Sequence, residues 1–173
     1  MKYREIRLRA IEPEDLELLY SWENNNSWWI ISNTIAPFSR YTLKRYIRNS
    51  HKNIYETGQL RLMTELIKEK QTIGTIDIFD FDHFHKRAGI GILIAVEEQR
   101  RKGYATMALK CLSDYCFRTL QLHQLWCNIL ANNRESIELF TKQGFVQIGI
   151  KKDWVKTVDG YLDEYMFQML NPV

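Results

Sequence analysis

Gln99-Arg100-Arg101-Lys102-Gly103-Tyr104-Ala105-Thr106 lies between an apolar run at residues 90–96 and an amphipathic run at residues 105–120. The first run predicts a strand and the second a helix, so the stretch between them is a basic glycine turn at a helix N-terminus. Backbone N–H groups with no partner inside the helix point out of such a turn. The helix dipole adds partial positive charge, and Arg100, Arg101 and Lys102 add more. These residues fit an anion site, and by type alone they also fit a solvated face. The small residues Gly103 and Ala105 stand where a backbone approaching a ligand needs room, which favours the anion site. A P-loop would need a Gly-Lys-Ser/Thr ending and a dinucleotide fingerprint more glycines.

Working outward, 173 residues suffice for one domain, residues 1–173, with a core that needs no staples. A composition 45% hydrophobic and 26% charged is that of an ordinary globular chain, and a net charge of +3 is too slight to imply nucleic acid. Cys111, Cys116 and Cys127 are odd in number and form no metal-type pair, so reduced, buried thiols are expected. The first residues lack a signal-peptide apolar region, and no window approaches the roughly 18 apolar residues of a membrane span. A cytoplasmic protein without membrane or nucleic-acid partners is expected.

Alternation at Ile6, Leu8 and Ala10 predicts a strand, and Pro13 opens a helix ending near Asn24-Asn25-Asn26. The cluster Trp28, Trp29, Ile30 and Ile31 follows in an irregular stretch, as core or as the wall of a substrate pocket. A second helical pattern places Leu43, Tyr46 and Ile47 on one face. Residues 60–67 and 71–81 read as a hairpin. At residues 89–96 one strand face is β-branched (Ile90, Ile92, Ile94, Val96), while the other begins with Gly89 and Gly91 and leaves floor space for a ligand. Beyond the helix after Gly103 come a strand at 125–129, a helix capped by Asn133 and ended by Gly144, and strands at 145–150 and 161–169 joined by a loop containing Asp159-Gly160. The fold class is mixed α/β (α+β) with about seven strands.

Asn133-Arg134-Glu135-Ser136, Leu139-Phe140 and Gly144-Phe145 follow the basic turn by about thirty residues. The two segments in this order resemble the GNAT N-acetyltransferases, whose loop pattern is Gln or Arg, two residues, Gly, one residue, then Gly or Ala. The look is nearest to the spermidine/diamine and ribosomal-protein-type members. The resemblance implies a twisted, mostly antiparallel mixed sheet with helices on both faces, acetyl-CoA as co-substrate and no metal. It implies that Arg100, Arg101, Lys102, Gly103, Tyr104, Ala105 and Thr106 hold the pyrophosphate and that Asn133 and Ser136 lie near the pantetheine. The main chain of Ile94, Ala95 and Val96 would hold the acyl carbonyl. Self-association, as a dimer or larger assembly, is expected on the same ground.

Two positions depart from the family pattern. Many relatives have a tyrosine general acid where this chain has Phe140, and commonly a glutamate where Gly89 stands. Substitute acid–base candidates are Asp77, Asp80, His83, Tyr104 and Tyr161. In Ile76-Asp77-Ile78-Phe79-Asp80-Phe81-Asp82-His83 the apolar residues switch from even to odd positions, which predicts a bulge near residues 78–79 and turns Asp77, Asp80 and Asp82 to one face. That face is either a solvated strand end or an acidic wall for a cationic amine, with Glu23 and Trp28 as further contacts. His83 and His85 lack a third metal ligand. The acidic loop of the spermidine enzymes is missing, because Asn33-Thr34-Ile35-Ala36 is neutral. The expected activity is direct acetyl transfer from acetyl-CoA to the primary amine of a small diamine- or polyamine-like molecule. Acetylation of a protein N-terminus or lysine, or a non-catalytic CoA-binding module, are the alternatives.

Overall fold

The computed structural model describes residues 1–172. Its strands are β1 (Lys2–Tyr3), β2 (Ile6–Arg9), β3 (Leu60–Leu66), β4 (Thr72–Asp82), β5 (Arg87–Ile94), β6 (Gln124–Leu130), β7 (Val146–Thr157) and β8 (Gly160–Leu170). They form one sheet in the order β1-β2-β3-β4-β5-β6-β8-β7. Of the neighbouring pairs only β5 and β6 run parallel. The strand beyond the expected seven is β1, whose two residues are too few to show a period. The loop expected before Asp159 is instead paired strand, with β7 running to Thr157 against Gly160 across register slips near residues 147–149 and 151–155.

The helices are α1 (Leu16–Glu23), α2 (Trp29–Ser32), α3 (Arg40–Asn49), α4 (Ile54–Thr57), α5 (Tyr104–Arg118) and α6 (Arg134–Lys142). Each sheet face has its own apolar cluster. Leu19, Leu43 and Ile47 of α1 and α3 pack with Ile11 and Met63 on one face. On the other, Ala108, Leu109, Leu112 and Cys116 recur along α5 and meet Ile6, Leu8, Ile76, Ile78, Ile90 and Leu125, with Phe140 of α6 joining them. Burial pushes the Cys116 thiol up to about 12, so it stays protonated and inert. Among the described residues, no helix is long and apolar enough to cross a membrane.

The slip in β4 falls later than residues 78–79. Phe79 keeps its place opposite Gly89, and the register shifts only between Phe79 and Asp82. Asp80 adopts a left-handed conformation with φ of 47°, which a short polar side chain tolerates and the β-branched Ile78 would not. Beyond it Asp82 pairs with Arg87, on the face that Asp77 and Phe79 share, while Phe81 turns to the core and meets Tyr55 edge-on at 5.1 Å.

A buried ionic network holds the N-terminal part to the sheet. Arg9 donates from both terminal nitrogens to Asp15, each at 2.7 Å, and through Nε to Glu65 at 2.7 Å, while Arg7 Nε donates to the other Glu65 oxygen at 2.9 Å. Asp15 is 3% exposed and also accepts the Glu12 amide. Burial raises its carboxyl, but the Arg9 guanidinium and the Glu12 N–H outweigh that and hold it below its ordinary value. A depressed carboxyl contributes stability that is full above its unfolded value and lost as pH falls through the folded one. Asp15→Asn should therefore lower unfolding free energy at pH 7 by about 1–3 kcal/mol in urea titrations. The gap between variant and wild type should close as the buffer is taken below the ordinary aspartate value of 3.8.

Candidate active site

The site begins where a ladder ends. The parallel pairing of β5 with β6 covers Arg87↔Gln124, Ala88↔Leu125 and Gly89↔Trp126, and the strands then part. Ile90, Gly91 and Ile92 face Asn128, Ile129 and Leu130 across a cleft of about 60 Å³. Ile30 and Ile31 of α2 wall it from one side, Asn133, Ser136 and Phe140 from another, and Glu164 of β8 stands at its edge.

Strand alternation identifies the amides aimed into the gap. Ala95 and Val96 both donate to the Ile73 carbonyl, at 2.8 and 3.1 Å, so neither is available to hold an acyl oxygen. This corrects the expected span. Odd-numbered residues of β5 point their N–H groups toward β4, which leaves those of Ile92 and Ile94 directed at the parted edge. The Ile94 carbonyl is taken by Arg100 Nε at 2.9 Å.

The turn leading into α5 has the geometry of an anion cradle. Gly103 caps the helix with φ of 84°, and a Cβ there would meet only Met107 Cε at 4.0 Å. The first helical bond runs from Met107 N to Gly103 O, so the amides of Tyr104, Ala105 and Thr106 have no partner within the helix. The three cations divide their work. Arg100 turns inward, 5.6 Å from the Trp28 ring centroid, while Arg101 pairs with Glu135 of α6 at 2.6 Å and Lys102 donates to Gln99 at 3.1 Å. Asn133 Oδ1 accepts the Ser136 amide at 3.2 Å, which caps α6 at the cleft.

On the sheet face turned away from α5, Arg61 donates to Asp77 at 2.6 Å and forms a short ion pair with Glu23 above the Tyr46 ring. Burial raises the Asp77 carboxyl, the nearby Glu23 charge adds to that, and Arg61 only partly offsets them, so Asp77 lies above its usual range. Asp77 stands opposite Gly91, a cleft residue.

Gly91 keeps open floor, but Gly89 does not. A Cβ at Gly89 would lie 2.3 Å from the Phe79 ring, which fills that space and meets Trp126 edge-on at 5.1 Å. The bulge sends Asp80 and Asp82 to a second cavity of about 540 Å³, lined also by Arg87, Gln124, Trp126, Ile148, Met166 and Gln168. Asp82 pairs with Arg87 at 3.3 Å and accepts the His85 amide, whose N–H holds its carboxyl below the ordinary value.

The remaining candidates lie elsewhere. His83 is exposed with its ring toward Tyr55, and Tyr104 packs against the core. Tyr161 stands near the tip of the β7–β8 hairpin, opposite Lys156 and 59% exposed, and lines neither cavity. Trp28 covers Arg100 rather than the cleft. Phe140 is 3% exposed, edge-on to Phe145 at 5.0 Å, and closes the cleft base. Sequence reasoning missed Glu164, which is 7% exposed and bonded by Lys151 at 2.8 Å. The available signal was a carboxylate in phase with Met166 and Gln168. Among the described residues, no group of His, Cys, Asp and Glu could hold a metal ion.

Residues 5–146 match the family model described as an acetyltransferase (GNAT) domain. Spermidine N(1)-acetyltransferase of Vibrio cholerae is 28% identical over 148 residues, 84% of this chain and 81% of that protein. The enzyme of the same name from Escherichia coli is 30% identical over 143 residues, 81% of this chain and 72% of that one. The crystal structure of the Vibrio cholerae spermidine N-acetyltransferase with CoA and spermine superposes with a TM-score of 0.86 at 24% identity, covering 96% of this chain and 95% of that one. A dodecameric structure of the Vibrio cholerae enzyme gives 0.80 at 26% identity, covering 96% and 94%. A parted parallel strand pair beside a glycine-capped helix, with a family match over most of the chain, makes this protein a member of the GNAT acetyltransferases.

Proposed function

We propose that the chain transfers the acetyl group of acetyl-CoA to the primary amine of a small, linear, cationic molecule, a polyamine as for the spermidine acetyltransferases it resembles. The observation that carries this reading is the parted β5–β6 edge. It sets the Ile92 and Ile94 amides between an anion cradle and a group of carboxylates. Glu23, Asp77, Asp80, Asp82 and Glu164 outnumber Arg61, Arg87 and Lys151 on that side, so a cation is favoured there and an anion at Gly103.

The residues present fit the donor. Open space at Gly103 admits a diphosphate to the Tyr104, Ala105 and Thr106 amides, and the cleft between β5 and β6 admits a narrow apolar arm. When bound, acetyl-CoA supplies a thioester acyl group and a thiolate leaving group. The Ile92 and Ile94 N–H groups stabilise negative charge developing on the acyl oxygen. Ile30, Ile31 and Phe140 keep water from the reacting carbon. An attacking amine with a pKa of about 10.4 must first lose a proton, and Asp77, raised by burial, accepts it. Phe140 has no proton to give, and a thiolate whose conjugate acid has a pKa of roughly 8.5 departs without one. The reaction suits the cytoplasm, where the buried free cysteines stay reduced. We also propose self-association. The dodecameric relative supports it, as does the exposure of Val146, Ile148, Ile150 and Trp154 along the edge strand β7.

Thiol release from acetyl-CoA, measured against polyamines, diamines, amino sugars and peptides, should be greatest with the linear polyamines. Donor binding without turnover on any amine would overturn the proposal. Gly103→Val, forcing a β-branched residue to positive φ, should weaken acetyl-CoA binding tenfold or more by calorimetry, on the order of 1.4 kcal/mol. Unchanged affinity in a folded variant would remove the turn from the mechanism. Asp77→Asn should lower kcat by about 100-fold with acetyl-CoA affinity retained. A protonated base cannot accept a proton, so the wild-type rate should fall as pH drops through the raised Asp77 value. That acidic limb should be missing from the variant's profile.

A further inference from the structure

The cavity floored by Trp126 lies farther along the same two strands, on the sheet face that carries the cleft residues Asn128 and Glu164. Residues of β6 and β8 pair as Leu130↔Glu164, Asn128↔Met166 and Trp126↔Gln168, so alternate positions form one continuous track. Asn128 and Glu164 belong to the cleft, and Gln124 and Gln168 to the cavity. Four residues of strand separate the two ends, about 13 Å.

The lining of the cavity has the chemistry of an ammonium site. Asp80 makes no ion pair or side-chain hydrogen bond among the described residues, and Asp82 is shared with the half-exposed Arg87. Both reach this face only through the register slip. Without it residues 80 and 82 would continue the inward phase of Ile76 and Ile78, and Phe81 would lie outside. Phe79 braces the Trp126 ring from the side, and Met166 and Ile148 offer apolar surface. Gln168 donates to Gln124 and keeps its carbonyl oxygen for a ligand.

We propose that this cavity is a distal-cation subsite, seating the far ammonium of an extended triamine against Trp126 and the Asp80 and Asp82 carboxylates, so that the enzyme selects its acceptor by length. This rests on the proposed amine acetylation. An extended chain advances roughly 1.2 Å per bond, as a polypeptide backbone does, so about eleven bonds between nitrogens span the track. Spermidine, with about nine bonds between its terminal nitrogens, comes close to that on the same scale. 1,4-Diaminobutane has about five and leaves its second ammonium over Met166, short of Asp80 and Asp82. An ammonium over an aromatic face with a carboxylate nearby is favourable, more so as water is excluded.

The test uses the full chain. Spermidine titrated without acetyl-CoA should shift the Trp126 indole N–H signal in a 15N spectrum, and Asp80→Asn/Asp82→Asn should abolish that shift. In steady-state assays the preference for spermidine over 1,4-diaminobutane should fall about fivefold in the double variant, through KM rather than kcat. The isosteric Asn at position 82 still accepts the His85 amide, so the turn is kept. An unmoved Trp126 signal at saturating spermidine, or a preference unaltered by the double variant, overturns the subsite. If 1,4-diaminobutane is acetylated while spermidine leaves Trp126 unmoved, the subsite falls and the proposed activity stands. If spermidine shifts Trp126 in the wild type only and no amine is acetylated, the activity falls and the subsite stands.

Discussion

The end of the parallel ladder at Gly89 and Trp126 is the constraint from which the rest of the site follows. Parallel neighbours require a crossover, and here the crossover helix is α5. The strand that loses its partner is therefore the one that runs directly into the Gly103 turn, so the open edge and the anion cradle occur together. Arg100 ties them by donating to the Ile94 carbonyl from within that turn. On its other edge β6 pairs with β8 over its whole length, so the gap does not loosen that half of the sheet. Amides left unpaired in a partly buried cleft cost about 1–3 kcal/mol each, a cost recovered when a ligand oxygen fills the gap.

A second constraint is steric. Phe79 occupies the space over Gly89, and a side chain at that position could not coexist with the ring. A glutamate at this place, expected from the family resemblance, therefore has no room. Acidic groups on this face come instead from β4, as Asp77 beside the cleft and Asp80 and Asp82 beyond the bulge. One aromatic ring thus excludes a carboxylate from β5, supports Trp126 and divides the acidic face into near and far groups.

Features with a local cause were legible in the sequence. Alternation marked β2 and β5, the helical period marked α5, and Gly103 marked the turn, because each is fixed by neighbours in the chain. Asn133 and Gly144 bounded α6 for the same reason. What sequence could not supply depends on register between distant segments. Ala95 and Val96 look like any strand-end amides until Ile73 is seen to accept from both. Glu164 enters the cleft only because β8 pairs with β6 so that it faces Leu130. Tyr161 falls away from the cleft because β7 continues to Thr157 and carries the hairpin tip outward. The bulge was legible in kind, from the switch of apolar phase, but its position was set by Phe79 holding its place over Gly89.

In the proposed reaction, the separation of near and far carboxylates would resolve a conflict in amine acetylation. Negative charge that attracts a cationic acceptor also favours its protonated form, which cannot attack. Carboxylates crowded around the reacting nitrogen would strengthen binding and suppress chemistry together. Here the uncompensated Asp80 stands at the far end of the track, while the charges beside the cleft are partnered, Asp77 and Glu23 by Arg61 and Glu164 by Lys151. The apolar Ile30, Ile31 and Phe140 line the reacting end. In the proposed reaction the apolar wall disfavours an ammonium there, and Asp77, its carboxyl raised by burial, is the proposed acceptor for the proton. On the proposed assignment attraction and deprotonation act on different nitrogens of one molecule, which calls for an acceptor with at least two.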